Sequence, residues 1–226
     1  RELAFAGHPT IGAAAVFCDR SDVTSPFLID EEVGPVKIDV ETDNLQNRVL
    51  WLTTPPVTFS ESVDPDFCAR LLGLKESDLR ADVLPVFASA GSPLLFICLD
   101  SVEAVDRAQL QERYLAEALG SVNSVGTFIF ARKEANSRVN FDVYSRMFAP
   151  QTGIPEDPAT GGATGPLAAY MMRSDLVPAN EPASFISEQG TKMGRQSLLH
   201  VRTNPAERAI KVGGSTVAIA RGALEF

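Results

Sequence analysis

Cysteine is scarce in this chain, and its placement excludes two kinds of site. Cys18, Cys68 and Cys98 are odd in number, far apart and without a CxxC spacing. Neither a zinc ligand set nor a redox pair is therefore indicated, and each thiol is expected to be a small buried hydrophobe in a reducing cytosol. Positive charge is also thin, with 20 Lys and Arg against 29 Asp and Glu and a net charge of −9. No basic run exceeds Arg132-Lys133, so a nucleic-acid partner would find no electrostatic footprint. Long apolar runs are missing too. The longest, residues 84–99, is shorter than a membrane span and is broken by Gly91-Ser92-Pro93, which predicts two buried strands around a turn. The opening residues show no basic stretch followed by an apolar one, so no secretory signal is visible and a cytoplasmic protein is expected. The glycines form neither GxGxxG nor GxxxxGK followed by Ser or Thr, and no GxSxG or HExxH occurs. That removes nucleotide loops and two common hydrolase centres.

What is present is an ordinary globular mixture, 45% hydrophobic and 22% charged, enough in 226 residues for one large core or two smaller ones. Periodicity predicts a helix over 9–18 and paired strands over 36–42 and 48–55 around Asp43-Asn44. A helix over 64–73 is marked by Asp64 as cap, Pro65 at the first position and Gly73 at the end. Strands follow at 83–89 and 93–99, then a long amphipathic helix over 100–119 closed by Gly120. Strands at 125–131 and 138–148 come next, the second alternating as Val139, Phe141, Val143, and a helix then runs to about Arg173. The last strands are expected near 184–189, 198–202, 210–212 and 216–220. This is an α+β chain rich in hairpins rather than a regular βαβ array.

Two segments carry the chemistry. One is FAGHPTIGAAAVF, residues 5–17, and the other is GIPEDPATGGATGP, residues 153–166. Setting Gly12 on Gly165 pairs Ala15 with Ala168, Phe17 with Tyr170 and His8-Pro9 with Gly161-Gly162, which reads as an internal repeat and predicts two similar lobes with one central helix each. A helix start leaves unpaired N–H groups and a partial positive charge, so two facing starts would make one anion-holding cleft. Gly161 and Gly162 lack a Cβ and let the backbone approach closely. Asp157 stands just ahead of that turn, and His8, one of two histidines with His200, could donate or accept a hydrogen bond at an enolising carbonyl. The plainer alternatives stay open: His8 as a turn cap, and Asp157-Pro158 as a turn former. Glu31, Glu32 and Glu61 are expected to be solvated, and Trp51 to be a packing residue.

These residues also carry a resemblance. Residues 3–12, with Gly7-His8-Pro9-Thr10 at their centre, resemble the GHPT motif of the PhzF family, the phenazine-biosynthesis-like isomerases. Residues 146–161, through Asp157-Pro158-Ala159-Thr160-Gly161, resemble its second motif, and Glu188-Gln189-Gly190, Met193-Gly194-Arg195 and Val212-Gly213-Gly214 resemble its tail. The resemblance implies the diaminopimelate-epimerase fold, with two pseudo-symmetric lobes, each a curved mixed sheet around a central helix. It implies an N-terminal lobe over 1–88, without its first strand or strands, and a C-terminal lobe over 89–226 whose last strand returns to the first. It further implies isomerisation or epimerisation by proton transfer, without metal or organic cofactor, on a small carboxylic acid, usually by a homodimer. His8 and Asp157 are then the catalytic candidates. Gly7, Pro9 and Thr10, with Gly161, Gly162 and Ala163, are the substrate-binding ones. Gly7-His8 and Gly161-Gly162 stand where thiol-based relatives carry cysteines, so a two-thiol racemase is not expected. The family's main acid–base glutamate is implied on a segment upstream of the GHPT motif, whereas this chain begins seven residues before His8. The family usually has serine where Gly162 stands. A protein that binds a small acid or a protein partner without turnover is the alternative.

Overall fold

The computed structural model of the chain describes residues 4–20, 23–43, 47–115, 124–133, 142–220 and 222. Alternating side chains build its sheet. In β2 (Gly34–Thr42) Val36 and Ile38 are buried while Lys37 is exposed, and in β3 (Arg48–Thr53) Leu50 and Leu52 are buried, so this hairpin has one apolar face. The pairing is antiparallel, with Ile38 opposite Leu52 and Val40 opposite Leu50. Preceding it, β1 (Phe27–Glu31) forms the sheet edge on β2.

The remaining strands are β4 (Thr58–Ser62), β5 (Val86–Ser89), β6 (Leu94–Cys98), β7 (Gly126–Arg132), β8 (Val143–Ala149), β9 (Ile154–Asp157), β10 (Ala183–Gln189), β11 (Ser197–Asn204) and β12 (Ala209–Gly214). They join one mixed sheet in the order β1-β2-β3-β12-β11-β10-β8-β7-β6-β5-β4, with β9 added beside β8. Among the described residues, only β6 with β7 and β8 with β10 run parallel. The chain crosses from one end of the sheet to the other between β3 and β4, at residues 54–57, where Pro55-Pro56 stops the ladder. At the far end β12 returns beside β3.

Two helices of equal length lie against this sheet. α1 (His8–Arg20) buries Thr10, Ala14 and Ala15, its alanines in one cluster with Ile38, Leu50, Leu52 and Val212. α4 (Gly161–Arg173) buries Leu167, Ala168, Tyr170 and Met171 with Phe96, Phe128 and Phe130. The alignment that sets Gly12 on Gly165 also sets His8 on Gly161 and Arg20 on Arg173, the first and last residues of these two helices. Short helices α2 (Pro65–Leu71) and α3 (Val102–Arg107) cover the opposite face of β6 and β7, where Phe67, Leu71 and Leu72 meet Leu95, Ile97 and Ile129. In β6, Leu94, Phe96 and Cys98 face α4 while Leu95 and Ile97 face α2 and α3. Covered on both faces, that strand is an unbroken apolar run. Cys68 and Cys98 are fully buried, and desolvation pushes both thiols up to about 12; Cys18 is only half-buried, unlike the expectation for it. Among the described residues, no helix is long and apolar enough to cross a membrane.

Two expected elements differ. The helix expected over 100–119 stops at Arg107, because the amides of Gln109 and Gln111 donate to the carbonyls of Leu72 and Leu71 at the end of α2 (2.9 and 2.8 Å) instead of to their own turn. Its continuation beyond residue 115 lies outside the described residues, as do Val139 and Phe141 of the expected 138–148 strand. Residues 216–220 alternate like a strand yet form none, and Val217 and Ile219 are 84% and 94% exposed. A strand needs a neighbour, and β12, from which this segment leads, already has β3 and β11 on its two sides.

Candidate functional site

The two helix starts are in backbone contact. A Cβ on Gly7 would stand 2.6 Å from Gly161 Cα, and a Cβ on Gly161 would stand 3.2 Å from Gly7 Cα and 3.3 Å from the His8 amide nitrogen. Gly7 is a glycine because only bare backbone allows this approach, whereas a Cβ on Gly161 would be tight without being barred. The expected reason, space for a ligand, is thus joined by a second one, contact between the turns themselves. Gly162 is different: a Cβ there meets only ordinary contacts, the nearest 3.6 Å away at the Gly7 nitrogen, so the serine expected of the family would fit.

Each helix leaves the amides of its first turn without a partner four residues back. In α1 the first such bond is Ile11 N to Gly7 O at 3.1 Å, and in α4 the carbonyl of Thr160 accepts from the amides of Ala163 and Thr164 at 2.9 and 3.2 Å. The amides of His8 and Gly162 precede those bonds and lie where Gly7 meets Gly161. Their partial positive charges add, which makes this the natural place in the fold for an anion.

The acids ahead of α4 part company. Glu156 and Asp157 are neighbours on β9, so their side chains leave opposite faces of the strand. Glu156 takes a two-pronged bond from Arg146 on β8, both contacts at 2.9 Å, and is structural. Asp157 stays half-buried at the turn, where its Oδ2 accepts from the Thr160 hydroxyl at 2.5 Å. Thr160 caps the helix by position but spends its side chain on Asp157 instead of on its own first turn.

The α1 side holds a residue that sequence reasoning missed. Glu31, expected to be solvated, is half-buried at the end of β1, where Oε2 accepts from the Ala6 amide at 3.0 Å and Oε1 from the Thr10 hydroxyl at 2.6 Å. The signal was its phase: in Phe27–Glu31 the less exposed positions are Phe27, Ile29 and Glu31, so the glutamate sits in register with two apolar residues. Glu32 and Glu61 are exposed, as expected. Of the residues named from sequence, His8 and Pro9 are exposed at the start of α1, while Thr10 is buried with its hydroxyl committed to Glu31 and the Ala6 carbonyl. Gly7 and Gly161 are buried in the contact between turns, and the Ala163 side chain is fully buried in the α4 core. Only the backbones of Gly7, Gly161 and Ala163 can serve a ligand.

The second histidine is elsewhere. His200, on β11, lies 6.4 Å edge-on from Trp51, and the Arg202 guanidinium lies 3.8 Å from the centre of the same ring. Burial, followed by the Arg202 charge, holds the His200 imidazole below its ordinary 6.5. The unfolded chain therefore takes up a proton near pH 6.5 that the folded chain resists, so stability falls as pH drops through that value. Urea midpoints should drop between pH 7.5 and 5, and His200→Gln should flatten that dependence; an unchanged slope would exclude this origin. A cavity of about 420 Å³ opens on the same outer side between Ser184, Arg202, Glu207 and Lys211. It touches neither helix start, and its cations are engaged, Arg202 with Glu41 at 2.8 Å and Lys211 with Asp39 at 3.0 Å.

Comparison with known proteins bears on the family and the fold. The model of the PhzC-PhzF family, described as phenazine biosynthesis-like protein, matches residues 1–222. The chain is 31% identical over 224 residues to a trans-2,3-dihydro-3-hydroxyanthranilate isomerase of Pseudomonas aeruginosa, covering 98% of this chain and 74% of that protein. It is 29% identical to an uncharacterized isomerase of Mesorhizobium japonicum, covering 99% and 76%. Among solved structures, a predicted epimerase from Pseudomonas aeruginosa superposes with a TM-score of 0.80 at 27% identity over 99% of this chain and 76% of the other. A hydroxyproline epimerase from Agrobacterium vitis shares the fold at a TM-score of 0.59 and 13% identity, covering 94% and 64%. A family match over nearly every residue, on an α+β fold shared with solved relatives, makes this chain a member of the phenazine biosynthesis-like PhzC-PhzF family of isomerases.

Proposed function

We propose that the protein moves a carbon-bound proton on a small carboxylic acid held where the two helix starts meet. The observation that carries this is the backbone contact of Gly7 with Gly161, which gathers first-turn amides from two helices beside the half-buried Asp157. Those amides would hold the substrate carboxylate and the negative charge that develops when a neighbouring carbon loses its proton. Thr160 holds Asp157 at the mouth of α4, and His8 stands exposed at the mouth of α1, free to meet a substrate oxygen. In this reading the proton leaves to the glutamate that the family resemblance puts upstream of Gly7, while His8 and Asp157 orient the substrate and steady the enol-like state. Pro9 and Thr10 shape the α1 turn, and the homodimer and cytoplasmic setting belong to the same proposal.

The test is carbon–deuterium exchange in D2O by the intact protein, offered the compound named for the Pseudomonas aeruginosa relative, trans-2,3-dihydro-3-hydroxyanthranilate. His8→Ala and Asp157→Asn are each expected to slow exchange by about 10²-fold or more. Unchanged exchange in either variant would remove that residue from the mechanism. Binding of the compound without exchange, in wild type, would favour a protein that holds a small acid without turning it over.

A further inference from the structure

Gln189, part of the tail motif, is fully buried and has no free polar atom to offer a ligand. Its Oε1 accepts from the Thr160 amide at 3.1 Å, and its Nε2 donates to the Asp157 carbonyl at 2.7 Å and to the Thr160 hydroxyl at 2.8 Å. The orientation of the amide is unambiguous, because a backbone N–H can only donate and a carbonyl can only accept. The hydroxyl of Thr160 must then accept from Nε2, and its own proton is left for Asp157 Oδ2, 2.5 Å away.

We infer that Gln189 is a positioning residue that aims the Asp157 carboxylate into the site by directing the Thr160 proton onto it. The inference rests on the reading of Asp157 given above. Side chains with one polar function cannot do this. Glutamate matches glutamine in size and keeps the acceptor but loses the donor; methionine keeps the length and loses both. The backbone around Gln189 is built for the contact. Gly190 adopts a left-handed φ of 81°, and a Cβ there would stand 2.8 Å from the Pro158 carbonyl oxygen, so the end of β10 lies directly against the Asp157-Pro158 turn.

The other half of the sheet repeats the arrangement with different chemistry. Glu31 ends β1, the first strand after α1, and Gln189 ends β10, the first strand after α4. Each reaches back to the turn that opens the preceding helix, Glu31 to the Ala6 amide and Thr10 hydroxyl, Gln189 to the Thr160 amide and hydroxyl. A carboxylate accepts from both of its partners, and the one Thr10 proton is taken up between Glu31 and the Ala6 carbonyl, which leaves none for a ligand. The amide on the α4 side both accepts and donates, which turns the Thr160 proton outward to Asp157. That difference gives the two otherwise similar turns distinct roles.

The experiment uses the intact protein labelled with 13C-aspartate, with the Asp157 carboxyl signal followed at pH 7. Gln189→Met and Gln189→Glu are expected to move that signal, Thr160→Val to move it as well, and Gln189→Met to add little in the Thr160→Val background. With trans-2,3-dihydro-3-hydroxyanthranilate as probe, Gln189→Met should lower the exchange kcat by about tenfold with little change in KM, and should cost nothing further when combined with Asp157→Asn. An Asp157 signal unmoved in folded Gln189→Met and Gln189→Glu protein overturns the inference. A moved signal together with full exchange activity in Asp157→Asn overturns instead the catalytic reading of Asp157. Should the wild type not exchange this probe, the carboxyl signal still decides the role of Gln189.

Discussion

Replacing Arg146 with alanine is expected to lower folding stability by about 3–5 kcal/mol, the cost of leaving a buried charge without its partner. Arg146 and Glu156 are 9% and 16% exposed at their side chains and meet through two parallel bonds. The same guanidinium donates to the carbonyls of Val105 and Ala108 at 3.0 and 2.9 Å, at the end of α3, and lies over the Phe148 ring. Alanine at 146 would strand a carboxylate and two carbonyls at once. The double variant Arg146→Met with Glu156→Met should recover the part of the loss that comes from the stranded carboxylate, while the carbonyls of Val105 and Ala108 stay without their donor. Urea unfolding monitored by circular dichroism measures both. A single-variant cost below about 1 kcal/mol, the value typical of an exposed pair, would show that solvent already reaches this bridge.

Replacing Gly7 with alanine should damage stability and activity together. The new Cβ would lie 2.6 Å from Gly161 Cα, and the obstacle is backbone on both sides, with no side chain to swing away. Overpacking of this kind costs about 1–3 kcal/mol, and parting the helix starts by about 1 Å is expected to slow deuterium exchange by about 10²-fold. Gly12, within α1, is the internal control. Nothing lies within 4 Å of a Cβ there, so Gly12→Ala should stabilise the helix by about 0.5–1 kcal/mol and leave exchange unchanged. Wild-type exchange in Gly7→Ala would detach the turn contact from the chemistry, whatever happened to the melting temperature.

Much of the fold was legible because it rests on local rules. The β2–β3 hairpin follows from alternation, and α2 follows from Asp64, whose side chain accepts from the Asp66 amide, with Pro65 at the first helical position. The repeat that aligned Gly12 with Gly165 matches the two central helices end to end, although periodicity put the first over 9–18 where it runs His8–Arg20. The helix expected through residue 119 failed for the opposite reason. Apolar period reports which face a segment buries, but it is silent about amides claimed by another element, as Gln109 and Gln111 are claimed by α2.

The candidate site divides in the same way. Two glycine-rich, small-residue helix starts, with His8 at one and Asp157 beside the other, are readable from local sequence, because propensity, missing side chains and turn chemistry act over a few residues. What those groups touch follows from the packing of distant segments. That packing brought Gly7 against Gly161, turned Glu156 to Arg146 and Asp157 to Thr160, drew Glu31 back to Thr10, and seated Gln189 under Asp157 from 32 residues along the chain. Those partners are set by strand order and register, which no local window of sequence contains. A buried polar group must find a partner wherever the fold supplies one.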